Sequence, residues 1–198
     1  RYQQQLEAHN SRLKLESLTD SLTSLPNRRA FDRRLTDELS RAVKNRKAAV
    51  LLLDLDAFKP YNDRFGHAAG DDALRITARV LEKQLRDVDQ VARLGGEEFG
   101  IIMGSAGRRE ALALAERCRA AMESAPWPLR QVTVSIGVAL LQTRDDAKSI
   151  LVRADEALYA AKNGGRNQVA FVPQRAVGSK AQAPTSRKER RKPGKVTN

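Results

Sequence analysis

A single cysteine, Cys118, in 198 residues excludes an intramolecular disulfide framework and fits a reducing compartment. Placed between Ala115 and Met122 in a helical pattern, it reads as a small buried hydrophobe. With only two histidines beside it, the chain has too few nitrogen and sulfur ligands for a zinc site. His67 is the only central histidine, so no Ser/His/Asp triad stands out. No apolar run approaches the ~20 residues that span a bilayer, and no stretch has the order of a signal peptide. Walker-type GxxxxGK and Rossmann-type GxGxxG patterns are both missing, so neither of those phosphate loops is at work. The chain begins at Arg1 rather than Met, from which we expect a piece of a longer protein with an upstream region.

What the chain has is enough hydrophobic content, 41%, for one core with appendages. Its net charge of +12 is unevenly placed: residues 173–198 carry eight Lys or Arg and one Glu, leaving +5 for the rest. The basic character is therefore mainly a tail property and does not mark the body as a nucleic-acid binder. The tail, rich in Pro, Gly and Ser without apolar periodicity, is expected to be disordered. Residues 1–18 read as a connector helix with Leu6 and Leu13 seven apart, compatible with the end of a coiled coil.

Between these, residues 19–172 form the expected domain. Asn27 is placed to cap a helix from Arg28 to about Arg46. Ala48 to Asp54 is a continuous apolar run, as in a central strand covered on both faces. Asp54 and Asp56 then share one face at its carboxyl end if extended geometry continues. A partly helical stretch from Ala57 to Gly66 tolerates Pro60 in its first turn. The stretch Gly66 to Asp72 precedes an amphipathic helix carrying Leu74, Ile76, Ala78, Val80, Leu81 and Leu85, and a capping role for Asp71 in its first turn competes with any functional one. A hairpin spans 91–103, a helix 108–124, a strand 131–139, a helix 147–162 and a closing strand 166–172. Pro126-Trp127-Pro128 punctuates, with Trp127 as core cover. This predicts an α/β fold with a central, largely antiparallel five-stranded sheet flanked by helices.

The chemistry gathers at Arg93-Leu94-Gly95-Gly96-Glu97-Glu98-Phe99-Gly100. A Gly-Gly hairpin turn lets the backbone take positive φ and lets a large ligand approach. Glu97 and Glu98 together repel unless a cation or proton compensates; a solvated acidic turn and a metal site both fit these residues. Adding Asp54 at the neighbouring strand end makes three acids, which suits Mg²⁺ held by a few carboxylates plus substrate phosphates. Lys162 and Arg166 are placed to supply phosphate charge as a point and a fork. The residues point to metal-assisted chemistry on a nucleotide.

At this stage the chain resembles the GGDEF family, the diguanylate cyclases. Gly95-Gly96-Glu97-Glu98-Phe99 is similar to the signature turn. The stretch from Asp20 to Arg29 resembles the opening motif, with Ser24 where Gly is usual. The stretch from Asp54 to Asp63 resembles the metal and guanine segment, continued by Gly66-His67 and Gly70-Asp71. Val134 to Ala139, Ala154-Asp155 with Ala157-Leu158-Tyr159, Ala161-Lys162 and Gly165-Arg166-Asn167 complete the match over about residues 18–172. The resemblance implies a nucleotidyl cyclase-like fold with a ferredoxin-like core. It also implies condensation of two GTP into cyclic di-GMP and two pyrophosphates by an antiparallel homodimer. Asp54, the Leu55 carbonyl and Glu97 would hold two Mg²⁺ or Mn²⁺ ions, Glu97 would assist deprotonation of the 3′-hydroxyl, and Glu98 would be required. Asn62 and Asp71 would read guanine, with His67 beside them. Lys59, Lys162 and Arg166 would neutralise phosphates, and Phe58 would lend backbone N–H groups. Arg86 and Asp89, with Arg117 on the following helix, resemble an inhibitory product site. An upstream sensory domain is implied, with a cytoplasmic location even if the whole protein is membrane-anchored; no nucleic-acid partner is expected. An inactive domain that senses GTP or cyclic di-GMP is the alternative, and the intact acids argue against it. A polymerase or nuclease relative would share the two-metal logic but lacks a long basic groove.

Overall fold

The computed structural model describes residues 18–42 and 47–172. The expected connector helix and basic tail lie outside the described residues, Leu18 apart. Ten elements follow in order: α1 (Arg28–Ala42), β1 (Ala48–Leu55), α2 (Phe58–Phe65), α3 (His67–Glu82), β2 (Gln90–Gly95), β3 (Glu98–Gly104), α4 (Arg108–Ser124), β4 (Val134–Leu140), α5 (Ala147–Asn163) and β5 (Val169–Phe171). The five strands form one sheet in the order β2-β3-β1-β4-β5. Every pairing is antiparallel except β4 with β5.

β1 sits at the centre because its apolar run can be buried on both faces. Its odd residues Leu51, Leu53 and Leu55 pack in one core with Leu74 and Leu81 of α3 and Leu114, Cys118 and Met122 of α4. Its even residues Val50 and Leu52 pack with Phe31 and Leu35 of α1 and Ile150 and Ala154 of α5. Burying each such Leu or Ile contributes about 1.5–3 kcal/mol. Cys118 is buried, as its sequence context suggests, and burial pushes its thiol up to about 12.

Two glycines set how closely the helices approach the sheet. A Cβ on Gly137 of β4 would lie 2.2 Å from the Ala154 carbonyl oxygen and from the Leu158 nitrogen, so α5 rests directly on the strand. A Cβ on Gly100 of β3 would meet the Phe31 ring at 2.5 Å, so α1 seats there through an aromatic edge. Both helices therefore flank the side of the sheet on which the even residues of β1 project.

Several expected boundaries move for local reasons. Asn27 caps α1 as anticipated, its Oδ1 accepting from the Arg29 and Ala30 N–H groups at 3.0 and 3.2 Å. The described helix ends at Ala42, and residues 43–46 lie outside the described residues. β4 starts at Val134 rather than Gln131, because β1 stops at Leu55 and Ala57 turns the chain with φ 55°. β5 covers only three residues, since Arg166 and Asn167 are left-handed (φ 64° and 46°) and cannot extend it. α3 begins at His67 with Gly66 as its cap, so Asp71 lies beyond the first turn and the capping reading fails. Asp72, the other acid there, pairs with Arg75 at 2.7 Å.

The junction before α1 carries one backbone cost. Ser24 takes φ 62° in a turn whose ends are closed by Asp20 N–H to the Leu25 carbonyl at 2.7 Å and Ser24 N–H to the Asp20 carbonyl at 2.9 Å. Left-handed backbone costs a residue with a Cβ about 1–2 kcal/mol. Ser24→Gly should therefore raise stability by about 1 kcal/mol, read from the denaturant midpoint; an unchanged or lower midpoint would mean the turn holds Ser24 without strain.

Candidate active site

The β1–β3 register brings the acids together. Leu53 faces Phe99 and Asp54 faces Glu98, and directly opposed residues of an antiparallel pair project on the same side. Asp54 continues the alternation of Val50 and Leu52, so its carboxylate emerges beneath α5. There Lys162, in the last turn of that helix, reaches it at 2.8 Å from Nζ to Oδ2. Asp54 is buried. Burial raises its pKa above the ordinary 3.8, the Lys162 hydrogen bond and charge lower it, and the charges of Glu97 and Glu98 raise it again, with a net rise. Three acids and one lysine thus share one small region.

The turn differs from the expected Gly-Gly geometry. A register shift between Arg93 and Gly95 makes Gly95 the partner of Glu98, so Gly96 and Glu97 are the central turn residues. Gly95 (φ 149°) and Gly96 (φ 52°) use the freedom that glycine supplies, and a Cβ on either would meet nothing within 4 Å. The backbone here is open to a ligand. The two glutamates are consequently not equivalent. Glu97 rides on the turn, its carbonyl accepting from the Leu55 N–H at 3.3 Å, whereas Glu98 is a strand residue set opposite Asp54. Glu98 also lines a cavity of about 540 Å³ between α1, α5 and the sheet, whose walls include Arg28, Leu52, Lys148 and Asp155.

Asp56 shares the face of Asp54, as the alternation predicts, but does different work. Its carboxylate accepts from Thr133 Oγ1 at 2.8 Å, Ser135 Oγ at 2.7 Å and the Asn167 N–H at 2.9 Å. These bonds moor the loop after α5 to the sheet and so help position Lys162. Asn167 adds two more tethers, accepting from Arg119 at 3.0 Å and donating to Glu123 at 2.7 Å. Arg166 is exposed on this moored loop. The mooring residues Thr133 and Ser135 escaped sequence reasoning because small hydroxyls in a strand carry no sign of a distant carboxylate partner.

The α2–α3 corner holds the other sequence-predicted residues. Phe58 is buried, its ring stacked with Tyr61 at 6.4 Å, so only its backbone is available to a ligand. Lys59 and His67 are exposed. Asn62 Oδ1 is buried with no hydrogen-bond partner, an arrangement that ordinarily costs about 1–3 kcal/mol. Gly70 makes the room for it, since a Cβ there would lie 1.9 Å from that oxygen. Asp71 follows Gly70 directly. An unpartnered buried acceptor suits a ligand bearing N–H donors.

Arg86 and Asp89 lie in the connection from α3 to β2, at the far end of β2 from the turn. They form a two-pronged pair, Nε to Oδ2 at 2.9 Å and Nη2 to Oδ1 at 2.8 Å, and Arg86 Nη2 also reaches the Gly104 carbonyl at 3.3 Å. Arg117 donates to the Gln84 carbonyl of the same connection. A shallow cavity of about 270 Å³ opens beside them, with Leu85, Arg86, Asp89 and Gln90 among its walls.

The family model "Diguanylate cyclase, GGDEF domain" matches residues 17–168. The chain belongs to the GGDEF domain family. Diguanylate cyclase DgcP of Pseudomonas aeruginosa is 40% identical over 159 residues, covering 78% of this chain and 24% of that protein. Diguanylate cyclase TpbB of the same species is 40% identical over 175 residues, covering 83% of this chain and 40% of that protein. Among solved structures, the coiled coil and GGDEF domain of DgcB from Caulobacter crescentus, in complex with c-di-GMP, superposes with a TM-score of 0.75 at 32% identity. That match covers 85% of this chain and 93% of the other. The chain thus spans a quarter to two fifths of the length of these two curated relatives. Among the described residues of this GGDEF domain, no helix is long and apolar enough to cross a membrane.

Folding opposes ionisation of Asp54, and the sign of the consequence is fixed. With its folded pKa raised, the native state keeps a proton just above pH 3.8 that the unfolded chain has lost, so this group's contribution falls as pH rises through that window. Asp54→Asn has no such ionisation. Its stability relative to the native sequence, measured by denaturation without added cation or nucleotide, should therefore improve from acid to neutral pH. A difference that stays flat, or shrinks, would contradict the geometry.

Proposed function

We propose that this GGDEF domain condenses two GTP molecules into cyclic di-GMP and two pyrophosphates. The observation that carries the reading is the Asp54–Glu98 register with Glu97 on the open turn beside it and Lys162 already on Asp54. The donor set fits a hard dication: carboxylates of Asp54 and Glu97 and the Leu55 carbonyl, all oxygen. Among the described residues no group of three or more His, Cys, Asp or Glu is assembled for a metal ion. The ions assigned to the oxygen donors are Mg²⁺ or Mn²⁺, two per site, because such ions take few protein carboxylates and complete their shells on substrate phosphates. When bound, the cations supply the charge that polarises the α-phosphorus and offsets charge on the leaving pyrophosphate.

The chain's own residues do the rest. Lys162 neutralises Asp54 in the free domain and turns to phosphate when cation and nucleotide arrive, with Lys59 and Arg166 beside it. Asn62 Oδ1 and the Asp71 carboxylate accept from the N–H groups of the guanine edge, relieving the buried acceptor. Phe58 lends backbone N–H, and His67 flanks the nucleotide at the start of α3. Glu97 takes the proton of the attacking 3′-hydroxyl as the 3′-oxygen bonds to the α-phosphorus and the bond to pyrophosphate breaks. Glu98, set opposite Asp54 in the ladder, adds a third carboxylate to the site. Repeating the step closes the ring. Each domain holds one GTP, so two copies meet in antiparallel fashion, under the influence of an upstream sensory domain. Arg86, Asp89 and Arg117 bind the product and limit turnover.

Incubation with GTP and Mg²⁺ should give cyclic di-GMP and pyrophosphate by mass; GTP recovered unchanged would favour a sensing module. The rate should rise more steeply than first order in protein concentration over dilute samples, and strict proportionality would remove the dimer. Glu97→Gln should lower turnover by about a hundredfold or more with unchanged circular dichroism. Retained activity would refute its assignment. Arg86→Ala should keep the initial rate and abolish slowing by added product; unchanged inhibition would leave the Arg86–Asp89 pair without that role.

A further inference from the structure

Arg93, two residues before the glycines, bonds directly to the turn. Its Nε and Nη2 donate to the Gly96 carbonyl at 3.1 and 2.9 Å. Its Nη1 donates to both oxygens of the Asp20 carboxylate at 3.2 and 3.3 Å. Its backbone N–H donates to the Pro26 carbonyl at 2.9 Å. Asp20 also accepts from the Thr23 N–H at 2.9 Å and the Thr23 hydroxyl at 2.7 Å. Burial pushes the Asp20 carboxyl up, and the bonds from Thr23 and Arg93 outweigh it, so the acid stays charged and the clasp intact at neutral pH. The Asn27–Arg93 bridge fastens the same junction to β2.

The geometry has a mechanical consequence. Gly96 and Glu97 are the two residues of the turn, and their consecutive carbonyls are held from opposite sides, Gly96 by Arg93 and Glu97 by the Leu55 N–H. Glycine at 95 and 96 leaves the turn free to swing unless something pins it. We infer that Arg93 is a positioning residue for the reaction: it fixes the Glu97 carboxylate relative to Asp54 and ties that placement to the junction at residues 19–27. Only a planar guanidinium presents donors on both sides at once; a lysine ammonium is a single point and cannot span Gly96 and Asp20. Movement of the junction is thereby transmitted to the turn through one residue, by its backbone as well as its guanidinium. The kinetic part of this inference rests on the function proposed above, whereas its structural part does not.

The test uses the whole chain with Arg93→Lys, Asp20→Asn and their combination. Arg93→Lys should lower kcat by about tenfold to a hundredfold while KM for GTP stays within about threefold, as expected of a displaced group that does not bind substrate. Asp20→Asn should act in the same direction, and the combination should be no worse than Arg93→Lys alone. Arg153→Lys is the comparison. Its pair with Asp145, at 2.6 Å, is as closely held but lies at the other end of the sheet, so kcat should not change. Amide exchange of Leu55, whose acceptor is the Glu97 carbonyl, should quicken about tenfold in Arg93→Lys but not in Arg153→Lys. Should Arg93→Lys not fold, the near-isosteric Asp20→Asn carries both measurements. If the native chain makes no cyclic di-GMP, the proposed function fails while Leu55 exchange still decides the clasp. Native kcat in Arg93→Lys, fully additive effects, or unchanged Leu55 exchange would each overturn the inference.

Discussion

The site depends on one constraint, the pairing of β1 with β3 that sets Asp54 directly opposite Glu98. A slip of one residue by either strand would turn its acid to the other face, away from the partner's. Leu51, Leu53, Phe99 and Ile101, all fully buried, hold the register by filling the opposite core. Apolar packing on one side of the sheet thus enforces like-charge proximity on the other. That proximity is unfavourable by itself: Asp54 is buried, and two further acids act on it. Lys162 offsets part of the cost in the free domain, and a dication with a polyphosphate would offset more.

The elements around this pair divide the remaining tasks. α5 approaches β4 closely because Gly137 has no side chain, which brings Lys162 over Asp54. Asp56 ties the loop beyond α5, through the Asn167 N–H, to Thr133 and Ser135 of the sheet side. Gly70 leaves space for the Asn62 amide, whose oxygen stays without a partner. Arg93 pins the turn that carries Glu97. The Arg86–Asp89 pair belongs to a separate region, at the other end of the strand β2 that leads into the turn.

Much of this was legible in the sequence because it rests on local patterns. The apolar run before Asp54 announced a central strand, and alternation correctly put Asp54 and Asp56 on one face. Helical spacing gave α1, α4 and α5, and the ordered motifs gave the family. What escaped detection depended on tertiary partners or on backbone detail. Alternation put Asp56 on the face of Asp54 but could not show that Thr133, Ser135 and Asn167 occupy its carboxylate. The bulge beside Arg93, invisible in composition, shifted the turn by one residue and separated Glu97 from Glu98. Asp71 looked like a cap because the start of α3 was read too late; Gly66, with φ 82°, ends α2 and opens α3 at His67. Ser24 stands where its positive φ explains the usual glycine.

The central claim is that the Asp54–Glu97–Glu98 cluster is built to be completed by a dication carried with a nucleotide. The most direct measurement is calorimetric titration of a non-hydrolysable GTP analogue at increasing Mg²⁺, in the native chain and in Asp54→Asn. The account predicts that nucleotide affinity rises with Mg²⁺ in the native chain and that this dependence is lost in Asp54→Asn. Affinity independent of Mg²⁺ in the native chain, or an undiminished dependence in the variant, would contradict it.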